Sequence, residues 1–275
     1  MESSNTKKTN QLDFLKNKLN CETFDKDNIN QNSPENFNQE TFEPNEENFK
    51  IKRICIIDTE TTGLDENKDH VIEVGGILFD VQSRSVLSQI SFLLPVDINS
   101  AEHINGISAS VSNIPQPWEE ALKFFLNLVD YSDLLIAHNA EFDKKWFGRE
   151  TLPNLNKKWI CSLNDINWSF KKTLKSRPSV TDLALAFGIP VWNLHRALSD
   201  CYYLSEVFKN CHDLEDILLK AMEPKHIYKA IVSYEDRLLA KKAGFLWNNH
   251  LQGAWTKKLS EDELINLDFK VELLN

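Results

Sequence analysis

The sequence predicts an α/β fold, in which a mixed sheet carries helices on both faces, followed by a small C-terminal α+β module. Two observations predict the main sheet. Three β-branched runs follow one another between residues 52 and 94, and strand and helix patterns then alternate to residue 211. A third observation, the change of pattern after residue 211, predicts a linker helix over residues 212–224 and a separate module over residues 225–275.

Composition is typical of a globular protein, with 41% hydrophobic and 26% charged residues in a chain of 275. The net charge of -10 excludes a wholly electrostatic nucleic-acid binder, but it does not exclude an enzyme whose acidic side chains bind cations. The five cysteines are scattered and form no CxxC pair, which is typical of a reducing compartment. No apolar run is long enough to cross a membrane, so we expect a cytoplasmic protein without membrane contact.

Residues 1–50 are rich in Asn, Gln, Glu and Lys and show no hydrophobic period, which predicts a disordered tail. One segment of this tail, Gln11–Leu15 with the sequence QLDFL, has two interpretations. It forms a short amphipathic helix, or it is a linear motif that resembles the pentapeptides with which bacterial replication and repair proteins bind the sliding clamp.

The folded region begins with predicted strands at residues 52–57, 71–79 and 84–94, whose short connections indicate an antiparallel meander. Residues 103–108, with the sequence HINGIS, are predicted as a loop. Patterns of apolar and capping residues then predict the remaining elements. These are a helix from Trp118, a strand at 134–137, a helix from His138 to about Arg149, a strand at 159–162 and helices at 181–187 and 195–211.

Acidic side chains and one histidine stand at the ends of these elements. Asp58 and Glu60 are two residues apart on one strand, so they face the same way, and two adjacent carboxylates repel each other unless a cation lies between them. Asp143, His195 and Asp200 lie in the first turns of predicted helices. Because such ends meet at one edge of an α/β sheet, we expect the five residues to form a divalent-metal site.

Three segments that contain these residues resemble the three motifs of the DEDDh 3'-5' exonucleases: DTETTGL from Asp58, HNAEFD from His138 and HRALSD from His195. This DnaQ-like family includes the proofreading subunit of bacterial DNA polymerase III and ribonuclease T. The order and spacing of the motifs match over roughly residues 51–211, and HINGIS resembles the loop between the first two motifs. The resemblance implies a ribonuclease H-like fold for this part of the chain.

The resemblance also implies roles for the five residues. Asp58, Glu60, Asp143 and Asp200 would bind two Mg²⁺ or Mn²⁺ ions, with Asp58 between them and Asp143 acting partly through waters. His195 would take the proton from the attacking water, since histidine commonly transfers protons near neutral pH.

Residues beside the metal ligands are expected to contact substrate. Thr59 matches the family position that touches the terminal 3'-OH, and Leu64 matches the apolar wedge against the last base. Thr62 belongs to the same motif and is placed in the same group. His138 and Asn139 either contact substrate or brace the turn before Asp143, and Phe142 is either a substrate contact or a core residue.

These observations predict a metal-dependent 3'-5' exonuclease that releases nucleoside monophosphates from single-stranded 3' ends, with DNA preferred to RNA. An RNA-trimming exoribonuclease is the alternative within the same chemistry. A non-catalytic binding module of a replication assembly is the alternative of another class. The sequence does not decide the oligomeric state.

The C-terminal module contains two tryptophans and four lysines with two interpretations. Trp247 and Trp255 stack on bases beside Lys241, Lys242, Lys257 and Lys258, or both tryptophans fill the core of a very small domain.

Overall fold

The computed structural model describes residues 51–168, 174–175 and 177–274. The proposed tail, including Gln11–Leu15, lies outside the described residues.

The main sheet has five strands in the order β3-β2-β1-β4-β5. The first three strands are antiparallel neighbours, while β1, β4 and β5 run parallel. This is the mixed sheet that the sequence predicts. Its strands are β1 (Arg53–Thr61), β2 (Val71–Asp80), β3 (Ser85–Leu93), β4 (Leu134–Ala137) and β5 (Trp159–Cys161).

Seven helices of the described region accompany this sheet. Two longer ones cover its faces, α3 and α6, because each presents a stripe of buried apolar residues. The helices are α1 (Glu102–Asn105), α2 (Ala109–Ser112), α3 (Trp118–Tyr131), α4 (Ala140–Lys144), α5 (Val180–Ala186), α6 (Ala197–Lys209) and α7 (Leu214–Ala221).

Two adjacent glycines show how closely the helices approach the sheet. A Cβ on Gly75 would lie 2.5 Å from the carbonyl carbon of Ala197 in α6, and a Cβ on Gly76 would lie 2.8 Å from the ring of Phe125 in α3. Successive strand residues face opposite sides, so α6 and α3 lie on opposite faces of β2.

The structure corrects three of the predictions made for helices and loops. The HINGIS segment is not a simple loop: α1 ends at Asn105, and Ser108 caps α2 by accepting a hydrogen bond from the amide of Val111. The helix expected to continue to Arg149 ends at Lys144. The helix expected from His195 begins at Ala197, because His195 has a positive φ of 57° and leaves the helical conformation.

The C-terminal residues form a second, four-stranded antiparallel sheet in the order β7-β8-β6-β9. Tyr228, Ala230, Ala240, Phe245 and Leu259 form its buried core. The small α+β module is therefore confirmed. Its elements are β6 (His226–Ile231), α8 (Arg237–Lys242), β7 (Leu246–Trp247), β8 (Trp255–Leu259), α9 (Glu261–Leu264) and β9 (Lys270–Leu273). Within the described ranges, no helix has the length and apolar character that a membrane span requires.

Candidate active site

Strand β1 carries Asp58 and Glu60 on the face that α6 covers. Ile54 and Ile56, which alternate with the same period, pack in the apolar core with Leu204 and Phe208 of α6. The two acids therefore continue a core-facing row of side chains, and both are half-buried. They lie within the strand, which extends to Thr61, rather than after its end.

The start of α6 brings two further predicted residues to this row. Glu60, His195 and Asp200 each place one side-chain nitrogen or oxygen atom within 4.8 Å of the others. His195 is exposed, whereas Glu60 and Asp200 are half-buried. Glu60 is at least 135 positions from His195 and Asp200 in the sequence, yet the three residues offer two carboxylates and an imidazole to one point.

Asp143, which lies in α4, contacts β1 at Thr59. Its carboxylate is 2% exposed and accepts two hydrogen bonds at Oδ1, from the Thr59 amide at 3.0 Å and from the Thr59 hydroxyl at 2.9 Å. Thr59 lies between Asp58 and Glu60, so these bonds fix Asp143 against β1. In the structure the donors of Thr59, predicted as a substrate contact, are directed to Asp143.

The cluster buries several carboxyl groups close together, and this raises their pKa values. Burial, followed by the charges of Asp143, Asp200, Glu60 and Glu73, raises the pKa of Asp58 well above its usual range. Burial and the neighbouring carboxylates raise the pKa of Glu60 to about 8. Burial raises the pKa of Asp143 to about 7, although the Thr59 hydrogen bonds oppose the shift, and burial raises the pKa of Asp200 to about 6.

These carboxylates fit divalent cations. Oxygen ligands are the donors that Mg²⁺ and Mn²⁺ prefer, and a cation among the four carboxylates would favour their ionised forms. The donor set is therefore suited to the ions that the sequence predicts.

A buried ion pair next to the cluster was not predicted from the sequence. Glu73 on β2 is 2% exposed and accepts two hydrogen bonds from the Arg196 guanidinium, each at 2.9 Å. The same carboxylate accepts from the Ala197 amide at 3.1 Å and from the Ser91 hydroxyl at 2.7 Å. Glu73 thus fixes the first turn of α6, which carries Asp200 and follows His195. The sequence indicates this pair only through one acidic residue, Glu73, within the otherwise apolar run of β2.

Three of the predicted substrate contacts differ in solvent exposure. Leu64 is 78% exposed just beyond β1, and Asn139 is exposed in the left-handed conformation that asparagine tolerates. Thr62 is buried, and its hydroxyl accepts a hydrogen bond from the His70 amide at 2.9 Å. Leu64 and Asn139 are therefore accessible to substrate, whereas Thr62 stabilises the turn after β1.

His138 and Phe142 have interactions that favour the bracing and core alternatives. The Nε2 atom of His138 lies 3.0 Å from the Pro178 carbonyl, so Nε2 carries the proton and donates, while Nδ1 accepts from the Ser162 hydroxyl at 3.0 Å. Burial lowers the pKa of His138 to about 4, which keeps the ring neutral. Phe142 packs edge-on against Trp146 at 5.9 Å.

Comparison with known proteins identifies the family. The family model described as "Exonuclease" matches residues 55–208, which is more than half of the chain and includes all five predicted site residues. The chain belongs to this exonuclease family. A second family model, described only as a domain of unknown function, matches residues 226–274.

Curated relatives of this exonuclease-family chain are bacterial DNA polymerase III proteins. The PolC-type polymerase of Thermotoga petrophila is 27% identical over an alignment of 174 residues that covers 58% of this chain and 12% of the relative. The epsilon subunit of Treponema pallidum is 29% identical over an alignment of 161 residues that covers 55% of this chain and 72% of the relative. The chain therefore matches only a small part of the PolC-type relatives.

Solved structures confirm the fold. Apo exonuclease I has a TM-score of 0.52 and 16% identity, over 82% of this chain and 62% of that chain. E. coli exonuclease I in complex with a dT13 oligonucleotide has a TM-score of 0.52 and 15% identity, over 70% of this chain and 50% of that chain.

Proposed function

We propose that this chain is a metal-dependent 3'-5' exonuclease that removes nucleoside monophosphates from the 3' ends of single-stranded DNA. The observation that carries this proposal is the convergence of Glu60, His195 and Asp200 within 4.8 Å, near the half-buried carboxylate of Asp58 and the buried carboxylate of Asp143. Family membership supports the reaction class, and the names of the DNA polymerase III relatives support DNA as the substrate.

Within this proposal, Asp58, Glu60, Asp143 and Asp200 hold two divalent ions, Mg²⁺ or Mn²⁺. Bound ions would stabilise the charge on the attacking and leaving oxygens of an in-line displacement at phosphorus. The Thr59 hydrogen bonds keep Asp143 in place, and the Glu73–Arg196 pair keeps Asp200 in place.

His195 acts as the general base. Its exposed imidazole takes a proton from the water that attacks the last phosphodiester, and the bond between phosphorus and the 3' oxygen of the shortened strand breaks. That oxygen takes a proton, and the last residue leaves as a nucleoside 5'-monophosphate. Leu64, exposed beside β1, packs against the terminal base, and Asn139 offers a further contact.

The same proposal divides the chain into regions. Residues 51–211 form the exonuclease domain, residues 212–224 a linker helix, and residues 225–275 an accessory module. Residues 1–50 are a tail whose QLDFL segment remains a hypothesis for clamp binding.

A digestion experiment tests the proposed activity. Single-stranded DNA and RNA of the same base sequence, each labelled at the 5' end, are incubated with the chain in Mg²⁺, in Mn²⁺ or in a chelator. We expect metal-dependent shortening of DNA by one nucleotide at a time and slower shortening of RNA. Asp58→Ala should abolish the shortening while the protein remains folded.

Faster digestion of RNA would replace the DNA assignment with an exoribonuclease. Undiminished digestion by Asp58→Ala, or in the chelator, would contradict the proposed site. No digestion of either strand by the wild-type chain would favour a non-catalytic binding module.

A further inference from the structure

A short stretch of the C-terminal module, residues 234–247, exposes aromatic and basic side chains. Tyr234 is 75% exposed and Trp247 is 51% exposed, which is unusual for such large rings in a module this small. Helix α8 lies between them in sequence and carries Arg237, Lys241 and Lys242. We call these five residues the aromatic-basic face.

The structure separates this face from residues that the sequence pattern groups with it. Lys257 donates to the Ala243 carbonyl at 3.0 Å, and burial lowers the pKa of its amine. Trp255 is half-buried and packs against the module core, with its ring centroid 5.6 Å from that of Trp247. Trp255 is the direct partner of Trp247 across the β7–β8 pair, so the two rings lie side by side, and of the two Trp247 is the more exposed.

The lysines of this face differ from Lys225 and Lys229 of the same module, which are paired with carboxylates. Lys225 lies 3.5 Å from a Glu263 oxygen, and Lys229 lies 3.7 Å from a Glu272 oxygen. In contrast, the described region contains no carboxylate within 4 Å of the exposed Lys241 and Lys242 amines. Unneutralised amines in a chain of net charge -10 are complementary to an anionic partner.

The aromatic members are arranged for stacking. The Arg237 guanidinium carbon lies 3.9 Å from the Tyr234 ring centroid, so the planar group covers one side of the ring. Trp247 lies on the edge strand β7, paired only with β8. Rings at an edge offer flat apolar surface to unstacked bases, and the nearby amines offer contacts to phosphates.

We propose that the aromatic-basic face of the C-terminal module binds single-stranded nucleic acid, with bases stacked on Trp247 and Tyr234 and phosphates beside Arg237, Lys241 and Lys242. Aromatic stacking together with unpaired lysines distinguishes this partner from an acidic protein, which would match the charge alone. The face binds the strand independently of hydrolysis. If the chain is the exonuclease proposed above, this face gives the enzyme a second contact with the strand that it shortens; only this last statement rests on the proposed function.

The test measures binding by the full chain in chelator, so that hydrolysis does not consume the probe. Fluorescence anisotropy of labelled dT20 and rU20 is followed at several salt concentrations. Trp247→Ala should weaken binding about tenfold or more, whereas Trp247→Phe retains a stacking ring and should stay near wild type. Lys241→Glu/Lys242→Glu should lower the steepness of the salt dependence by at least ~1.4, because each lost phosphate contact removes about 0.7.

Matched controls carry the same kinds of change elsewhere. Lys220→Glu reverses an exposed charge on α7, and Tyr131→Ala removes a 63% exposed ring at the end of α3, and both should bind like wild type. The double lysine variant keeps the test decisive if Trp247→Ala fails to fold. Equal affinity and salt dependence in the double lysine variant and its control would overturn the proposal and leave the face to a protein partner.

The two probes distinguish the type of strand that the face binds, since either one binding through these residues supports the proposal. The outcome is independent of the exonuclease assignment. Asp58→Ala should bind both probes through the module even though it does not shorten them, and a failed digestion experiment would leave this binding intact.

Discussion

Two neighbouring regions of the main sheet hold buried carboxylates in opposite ways. Glu73 on β2 accepts four hydrogen bonds, two of them from the Arg196 guanidinium, so its negative charge is compensated within the protein. Asp58 and Glu60 on β1 face other carboxylates, and their pKa values are raised. Glu73 is paired within the protein, whereas we propose that the carboxylates on β1 bind cations.

The largest expected effect is a loss of nucleotide release without a loss of thermal stability. His195→Asn should reduce nucleotide release by a factor on the order of 10²–10⁴, because a general base is lost. Asparagine tolerates the positive φ of 57° at this position, so thermal unfolding should remain near that of wild type. Release rates at saturating Mg²⁺ and calorimetric Tm values check both parts, and an unchanged rate would exclude His195 as the base.

The next effect concerns the paired carboxylate. Glu73→Gln leaves the Arg196 charge without its partner and should cost roughly 3 kcal/mol of unfolding free energy, the lower end for a buried pair because Arg196 is partly exposed. Release should fall about 10–100-fold because the start of α6 loses its support. Denaturant unfolding and digestion rates measure these changes.

A surface ion pair provides the control for this variant. Glu272→Gln breaks the pair with Lys229, in which the Glu272 side chain is 61% exposed, and should cost less than about 1 kcal/mol. Equal costs for Glu73→Gln and Glu272→Gln would show that the buried pair does not anchor α6.

A smaller effect is the pH dependence of stability without metal. Raised folded-state pKa values mean that the folded protein keeps protons that the unfolded chain has released. In chelator the unfolding free energy should therefore fall as pH rises from about 4, the usual value for these acids, through the pKa values near 6, 7 and 8 of Asp200, Asp143 and Glu60.

Mg²⁺ should oppose this loss because it binds the ionised carboxylates. Each pKa unit is about 1.4 kcal/mol, and each kcal/mol changes Tm by ~2–4 °C, so Mg²⁺ should raise Tm by at least several degrees more at pH 8 than at pH 5.5. Scanning calorimetry at both pH values measures the difference. A Mg²⁺-induced rise in Tm that is the same at pH 5.5 and at pH 8 would contradict the metal site.

Sequence reasoning predicted the parts of this protein that depend on periodic or local patterns. The alternation in β1 predicted that Asp58 and Glu60 share a face, and the strand pattern predicted the mixed sheet. It did not predict the partner of Glu73, because one acid in an apolar strand does not indicate which distant cation it meets. The helices α1 and α2, with four residues each, are too short to show a hydrophobic period.

The C-terminal module shows the same limit. The sequence placed Trp247 and Trp255 in equivalent positions of a hairpin, and both were expected either to stack on bases or to fill the core. The structure exposes Trp247 at the sheet edge, whereas Trp255 is half-buried and packs against the core. Edge position depends on strand order, which local pattern does not determine.

A titration with Mn²⁺ tests the difference between the two kinds of carboxylate most directly. Bound Mn²⁺ is counted by electron paramagnetic resonance for the wild-type chain, Asp58→Asn and Glu73→Gln at pH 8. We predict two bound ions for the wild type, two for Glu73→Gln, and a loss of binding for Asp58→Asn. Wild-type binding by Asp58→Asn, or an equal loss in Glu73→Gln, would contradict the assignment of the β1 carboxylates as the metal ligands.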